Sequence, residues 1–399
     1  MRFTIIGITD HPHPWFPPEV TDSIRRGHVF SGGRRHHAIV QPLLPKGAQW
    51  IDITVPLDAV FQQYHAAGTD IVVFTSGDPL FFGFANTIRR QMPEAELTVY
   101  PTFNSLQLLA HRLLLPYHDL RIVSLTGRPW PALDRALIER TPQIGILTDR
   151  EHTPATIAQR LLEYGYTAYT MHVGEHLGNP GEERVSTLTL SEAAAATFRQ
   201  PNSIILTGSP DAAPFGLSDD SFALLDGRER MITKMPIRLL TLQMLDLPRR
   251  HVLWDIGFCT GSVSIEARLQ FPHLRIEAFE VRPECEAIIH ANMRHHGAPG
   301  ISVHMGDFCS VCCDSIAARA IPDAVFIGGH GGRLQAIIEK VLQYLSPQGI
   351  IVMNSVSEQS RQLWDEACRT LHLKQEAPLH IAINDYNPIT ILACKRQEK

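Results

Sequence analysis

Residues 252 to 292 constrain the fold more than any other part of the chain. Val252-Leu253-Trp254 reads as a buried strand. It runs into a glycine-broken turn, Asp255-Ile256-Gly257-Phe258-Cys259-Thr260-Gly261-Ser262, and Val263 to Leu269 begin a helix. The next hydrophobic run ends on an acid, Glu280. A strand, a tight glycine turn, a helix and a second strand ending in a carboxylate make half of a nucleotide-binding sheet. The glycines let the backbone approach a ligand, and the carboxylate can accept both ribose hydroxyls. A dinucleotide fingerprint needs G-x-G-x-x-G, whereas this turn reads G-x-C-x-G. The D-x-G-x-x-x-G form, with Asp255 at the strand end, fits S-adenosylmethionine (SAM) better than a nicotinamide dinucleotide.

The length of 399 residues favours two domains over one. A hydrophobic content of 44% is enough for a core in each half. The net charge of −5 argues against a chain dominated by nucleic-acid binding. No window approaches a membrane-spanning length of apolar residues, and the chain enters a strand at once (Phe3-Thr4-Ile5-Ile6). Neither a signal peptide nor a membrane contact is expected, and the protein is read as cytoplasmic. Seven cysteines, an odd number scattered without a framework, fit reduced thiols.

The first half alternates strands (Phe3–Ile8, Trp50–Val55, Ile71–Thr75, Leu97–Tyr100, Arg121–Leu125, Ile144–Leu147, Ser203–Leu206) with helices (Leu57–Ala67, Phe84–Gln91, Leu106–Leu115, Thr156–Tyr164). Small, turn-forming and acidic residues then place a linker at 211–228. The second half restarts with a helix at Pro236–Leu245 and strands at Val252–Ile256, Arg275–Glu280, Ser302–Met305, Ala324–Ile327 and Gly349–Asn354. Leu379–Ile383 and Thr390–Ala393, joined by Asn384-Asp385-Tyr386-Asn387-Pro388, predict an antiparallel hairpin at the sheet edge. The expected class is α/β, with domains at 1–210 and 229–399. A parallel sheet finished by a hairpin is the layout of class I SAM-dependent methyltransferases, a Rossmann-like sheet.

The second half resembles a known family. Met231-Ile232-Thr233-Lys234, the Asp255–Ser262 turn with Val263-Ser264-Ile265-Glu266-Ala267, Glu280 with Pro283-Glu284, Gly306-Asp307, and Pro322 to Gly332 are similar to the decarboxylating C15-methyltransferases of corrin biosynthesis. The Ile327-Gly328-Gly329-His330-Gly331-Gly332 string is the most specific piece. The resemblance implies a SAM pocket lined by Thr233, the Gly257, Phe258, Cys259, Thr260 and Gly261 turn, Glu280 and Phe308. Asp307 follows the strand where the adenine usually lies. Cys259 stands where the family carries glycine, so a negative φ or a shifted loop is expected there.

The first half resembles the tetrapyrrole methylase fold, two α/β subdomains, in its C5-methylating form. The matching pieces are Ser31-Gly32-Gly33-Arg34-Arg35-His36, Thr75-Ser76-Gly77-Asp78-Pro79-Leu80-Phe81, Ser105 to Ala110, Ser124-Leu125-Thr126-Gly127-Arg128, Leu147-Thr148-Asp149, Thr153-Pro154 and Gly174-Glu175-His176-Leu177-Gly178. Gly77 and Asp78 fall at a strand's C-terminal edge, where open α/β sheets bind ligands. Two loops depart from the family: Gly7-Ile8-Thr9-Asp10-His11-Pro12-His13-Pro14 replaces G-x-G-P-G, and Pro101-Thr102 replaces Pro-Gly.

Together the halves resemble the family of decarboxylating precorrin-6Y C5,15-methyltransferases of cobalamin biosynthesis, or its cobalt-precorrin counterpart. The resemblance implies one SAM per domain, a small tetrapyrrole substrate and a homo-oligomer. An electron-rich meso carbon needs alignment more than activation, so no catalytic triad is expected. Loss of the C12 acetate carboxyl leaves an electron pair for the ring to absorb, and His330 is the candidate for a polar group facing that step. Arg34, Arg35, Arg128 and Arg282 are candidate partners for the substrate carboxylates. His11, His13, His36 and His37 lack a metal-ligand pattern, so no metal is expected. Cys309, Cys312 and Cys313 read as packing thiols. Two alternatives stay open: an RNA methyltransferase, and a decarboxylating C15-methyltransferase whose first half binds tetrapyrrole without turnover.

Overall fold

Alternate residues of the first strand pack on opposite faces of its sheet, the period-two pattern of a strand covered on both sides. In the computed structural model, which describes residues 1–228, 231–383 and 388–397, this strand is β1 (Arg2–Ile8). Phe3 and Ile5 meet Val60, Tyr64 and Ile88 on one face. Ile6 and Ile8 meet Val20, Ile24 and Val40 on the other. With β2 (Val29–Gly32), β3 (Gln49–Asp52), β4 (Ile71–Ser76) and β5 (Glu96–Tyr100) it forms a parallel sheet in the order β3-β2-β4-β1-β5.

A second five-stranded sheet follows: β6 (Arg121–Ser124), β7 (Gln143–Leu147), β8 (Tyr169–Glu175), β9 (Arg184–Thr189) and β10 (Asn202–Gly208), ordered β6-β7-β10-β8-β9. β6 and β7 are parallel, and the other pairings are antiparallel. Three strands absent from the sequence reading, β2, β8 and β9, fall here and in the first sheet. β2 has four residues, β8 contains Gly174, and β9 is a polar edge strand (RVSTLT).

The third sheet has eight strands: β11 (Val252–Ile256), β12 (Arg275–Glu280), β13 (Ile301–Met305), β14 (Ala324–Ile327), β15 (Ile350–Ser355), β16 (Leu373–Gln375), β17 (Leu379–Ile381) and β18 (Ile389–Arg396). Its order is β13-β12-β11-β14-β15-β18-β16, with β17 also paired to β18. β11 to β15 run parallel, and β18 is antiparallel to β15, β16 and β17. The expected hairpin is therefore present as β17 and β18. Residues 384–387 of its connector lie outside the described residues. The strand order reverses between β11 and β14, and a crevice opens at such a point beyond the strand ends. Trp254, Phe279, Phe308, Ile338 and Trp364 fill the core on one face.

Packing divides the chain into two units. One comprises Met1–Pro129, Pro142–Arg160 and Ala168–Ser209; the other comprises Trp130–Thr141, Leu161–Thr167 and Pro210–Lys399. Residues 211–228, expected as a linker, group with the second unit and bury Leu217, Phe222 and Leu225. Among the described residues no helix is long and apolar enough to cross a membrane.

Candidate active sites

The turn after β11 lies against the loop after β14. Gly257 has φ +79°, and a Cβ there would meet the Gly329 backbone nitrogen at 2.8 Å. Gly328 donates its N–H to the Ile256 carbonyl (2.8 Å), which ties the loops together. Glycine at 257 is thus required twice, by conformation and by space. Gly261 has φ +74°, and a Cβ there would meet Ile289 at 2.4 Å. It leads into the helix Ser262–Gln270.

Beyond the strand ends, an open cleft of about 540 Å³ is lined by Gly257, Glu280, Arg282, Asp307, Phe308, Gly329, His330 and Arg333, among others. Glu280 ends β12 and is buried. Its Oε2 accepts the Cys259 N–H (3.0 Å); its Oε1 accepts from the N–H groups of Val281 (2.8 Å) and Arg282 (3.1 Å). The Arg282 guanidinium reaches both oxygens (3.2 and 3.3 Å). The carboxylate is fixed by the turn that would contact the ligand, and each of its oxygens already accepts at least two hydrogen bonds.

Asp255 lies at the end of β11, fully enclosed. Its Oδ2 accepts the Ser264 hydroxyl (2.6 Å), while its Oδ1 is buried with no hydrogen-bond partner. Burial, and then the charge of Glu280, pushes its carboxyl up to about 7. Phe258 and Thr260 are buried in the turn.

Cys259 departs from expectation. Its φ is +50°, in the left-handed region, so the loop keeps a glycine conformation with a cysteine in it. That conformation costs roughly 1–2 kcal/mol for an L side chain. The Glu280 carboxylate and the glycines on either side hold it in place. Burial raises its thiol pKa.

Other expected residues scatter. Thr233 is half-buried outside the cleft lining, and its carbonyl accepts from Arg238 (2.8 Å). Asp307 lines the cleft, but its carboxylate forms two bonds to Arg333 (2.6 and 2.8 Å), and that guanidinium holds its pKa down at about 2. Lys340 sits over the buried Phe308 ring at 5.2 Å and donates to the Phe308 carbonyl (2.6 Å). His330 accepts the Gly332 N–H at Nδ1 (3.1 Å), which leaves the proton on Nε2, 3.3 Å from the Ser360 hydroxyl. Burial lowers its pKa, so the ring is neutral at pH 7. Arg333 and Ser360 were absent from the sequence reading, although Arg333 immediately follows the glycine string.

In the first unit, the loops after β1 and β4 cross. Gly77 has φ +62° and donates its N–H to the Ile8 carbonyl (2.8 Å). A Cβ on Gly7 would lie 1.9 Å from the Gly77 carbonyl oxygen. A cleft of about 480 Å³ opens there, lined by Thr9, Asp10, Arg35, Ser76, Gly77 and Phe103, among others. Arg35 pairs with Asp10 and donates to Ser76 Oγ (2.7 Å). His36 Nε2 lies 2.9 Å from Ser76 Oγ; burial, then the Arg35 charge, pushes its pKa down to about 4. Asp10 Oδ2 meets His176 Nδ1 at 2.8 Å.

Asp78 lies outside this lining, and its carboxylate caps its own turn by accepting the Leu80 N–H (2.8 Å). Arg34 is exposed at the start of the helix Arg34–Val40. Arg128 is also exposed, donates to Ser124 Oγ (2.6 Å) and sits over the Phe82 ring at 5.2 Å. Of the four arginines, Arg35 and Arg282 line the clefts.

Both halves of the chain match known families. A family model described as Precorrin methyltransferase domain matches residues 225–384, and one described as Tetrapyrrole (Corrin/Porphyrin) Methylases matches 27–194. A precorrin-6Y C(5,15)-methyltransferase (decarboxylating) of Sinorhizobium sp is 32% identical over 89% of this chain and 84% of its own length. A cobalt-precorrin-6B C(15)-methyltransferase (decarboxylating) of Salmonella typhi is 33% identical over 46% of this chain and 97% of its own. A cobalt-precorrin-7 C(5)-methyltransferase of Salmonella typhimurium is 24% identical over 48% of this chain and 92% of its own.

Proposed function

The chain belongs to the family of decarboxylating precorrin-6Y C5,15-methyltransferases, and from that premise we propose how its two clefts divide the work. The protein is a SAM-dependent C-methyltransferase of cobalamin biosynthesis. The first unit methylates C5. The second methylates C15 and removes the carboxyl of the C12 acetate. The observation that carries this reading is that a relative named for both positions aligns along almost the whole chain.

The residues present fit SAM. At the second cleft, Gly257 and Gly329 leave room for a ligand against bare backbone, and Glu280, whose carboxylate is held by the turn after β11, faces the ribose. At the first, Gly7 and Gly77 bring two loop backbones together beside Ser76 and Arg35. When bound, SAM supplies an electrophilic methyl group on a sulfonium sulfur. The chain's own task is to hold the ring carbon in line with that methyl and to exclude water. In the second cleft, Arg282 and Arg333 at the rim receive the substrate carboxylates. His330 is held with its proton on Nε2 and no charge. It therefore orients a carboxylate or ring group by hydrogen bonding and is not a reservoir of protons.

We place the protein in the cytoplasm, as a homo-oligomer whose partner is a small tetrapyrrole. All seven cysteines are free, which supports a reducing compartment. The net charge of −5 supports a small-molecule partner over nucleic acid. The deciding experiment incubates the protein with SAM and precorrin-6Y, with and without cobalt in the ring, and follows mass. Two methyl additions and one loss of carbon dioxide are expected; salt-sensitive RNA binding with no change in the precorrin would overturn the reading.

A further inference from the structure

We propose that Asp10 is the proton acceptor of the first cleft and that His176 positions it. The inference rests on the first unit being the C5 methyltransferase. A meso carbon that bears hydrogen cannot finish methylation by attack alone. The ring's π pair forms the new carbon–carbon bond while the sulfonium carbon–sulfur bond breaks, which leaves a neutral thioether and a cationic ring. The carbon–hydrogen bond must then break, and its electron pair restores the π system. One methyl enters and one proton leaves, so a base must stand at the carbon.

Among the described residues lining this cleft, Asp10 is the one acid. It belongs to the loop that departs from the family pattern, at the C-terminal end of β1. Its carboxylate is 7% exposed, yet it borders the cavity. Two donors hold it, one at each oxygen: Arg35 at Oδ1 and His176 Nδ1 at Oδ2. Each oxygen has a second lone pair, so a carboxylate held this way can still receive a proton from the cavity. Arg35 is always charged and cannot accept one. His36 is also present but faces Gly33 N–H (3.2 Å) and Ser76.

His176 is built to hold that geometry. Its φ is +46°, a left-handed conformation that L residues adopt rarely and that its neighbours must impose. Its N–H donates to the Pro201 carbonyl (2.9 Å), and its own carbonyl accepts from Asn179 (2.9 Å). On the far side Nε2 lies 3.6 Å from Glu182, itself 3.6 Å from Arg199. The charged and titratable groups around the pair are therefore Arg35, His36, Glu182 and Arg199.

The test uses the full chain, with decarboxylative C15 methylation as an internal control of folding. Asp10→Asn should slow C5 methylation by about 10²–10⁴-fold. It should raise the kinetic isotope effect with substrate deuterated at C5, because proton removal becomes limiting. S-adenosylhomocysteine should still bind the first cleft by calorimetry. His176→Leu should slow C5 methylation as well. His176→Asn should recover much of the rate, since Asn tolerates the left-handed region and its amide N–H replaces the ring donor. Wild-type C5 rates and an unchanged isotope effect in Asp10→Asn would overturn the assignment. So would loss of S-adenosylhomocysteine binding there, which would make Asp10 structural. If wild-type protein adds one methyl and never two, the C5 reading itself has failed, a different result from either.

Discussion

Asp255 occupies a position where its charge is costly. Its carboxyl titrates near 7, against an ordinary value of 3.8, because burial, and then Glu280, disfavours the ion. Between about pH 4 and 7 the folded chain thus keeps a proton that the unfolded chain has released. Stability falls as pH rises through that window and is flat beyond it. Urea titrations of the wild type should show this slope, and Asp255→Asn should flatten it. Gly257→Ala should do more damage than most surface changes. A φ of +79° and a 2.8 Å approach to Gly329 both oppose a Cβ, so a loss of about 1–3 kcal/mol and of SAM binding is expected by calorimetry. Gly257 and Glu280, which line the second cleft, were legible in the sequence as strand-end residues, because their types at that position carry the signal. Asp10 with His176, and Asp307 with Arg333, were not. Their members lie 166 and 26 residues apart, and no local spacing records such a meeting.

At the scale of elements, residues 211–228 show how composition can mislead. Small and acidic residues mark a linker, yet a buried ion pair clamps the segment to the second unit. Glu266, on the helix Ser262–Gln270, accepts the N–H groups of Gly216 and Leu217 (both 3.0 Å) and the Arg238 guanidinium (3.1 Å). Arg238, on the helix Met235–Met244, also donates to the Leu217 carbonyl and to Asp219 (3.2 Å). Both side chains are fully buried. Removing one partner strands the other, so Glu266→Ala should cost about 3–5 kcal/mol in denaturant unfolding. Arg238→Met with Glu266→Leu should recover part of that but not all, since Gly216 and Leu217 still lose their acceptor. In the sequence both residues look like ordinary helix positions, and burial supplies the missing fact. The strands followed the same logic. β1, β4 and β11 are apolar on both faces and announce themselves. β9, half polar and at an edge, is indistinguishable from a loop until β8 pairs with it.

At the scale of the whole molecule, the two-part architecture was legible because each half carries its own strand-end glycine loop. The grouping of Trp130–Thr141 and Leu161–Thr167 with the second unit was not, since no shift in composition marks them. Each cleft is lined from within one unit: the first by residues between Ile8 and Asn202, the second by residues between Ile256 and Ile337. A defect in one should therefore leave the other working. Calorimetry should find two S-adenosylhomocysteine molecules per wild-type chain. Glu280→Ala removes the acceptor that organises Cys259, Val281 and Arg282. It should bind one and lose C15 methylation with decarboxylation, while C5 methylation persists. Gly77→Ala places a Cβ 2.7 Å from the Asn104 Cα at a φ of +62°. It should also bind one, lose C5 methylation and keep the C15 reaction. A stoichiometry of one in the wild type would mean that a single cleft holds the methyl donor, and the loss pattern of the two variants would say which.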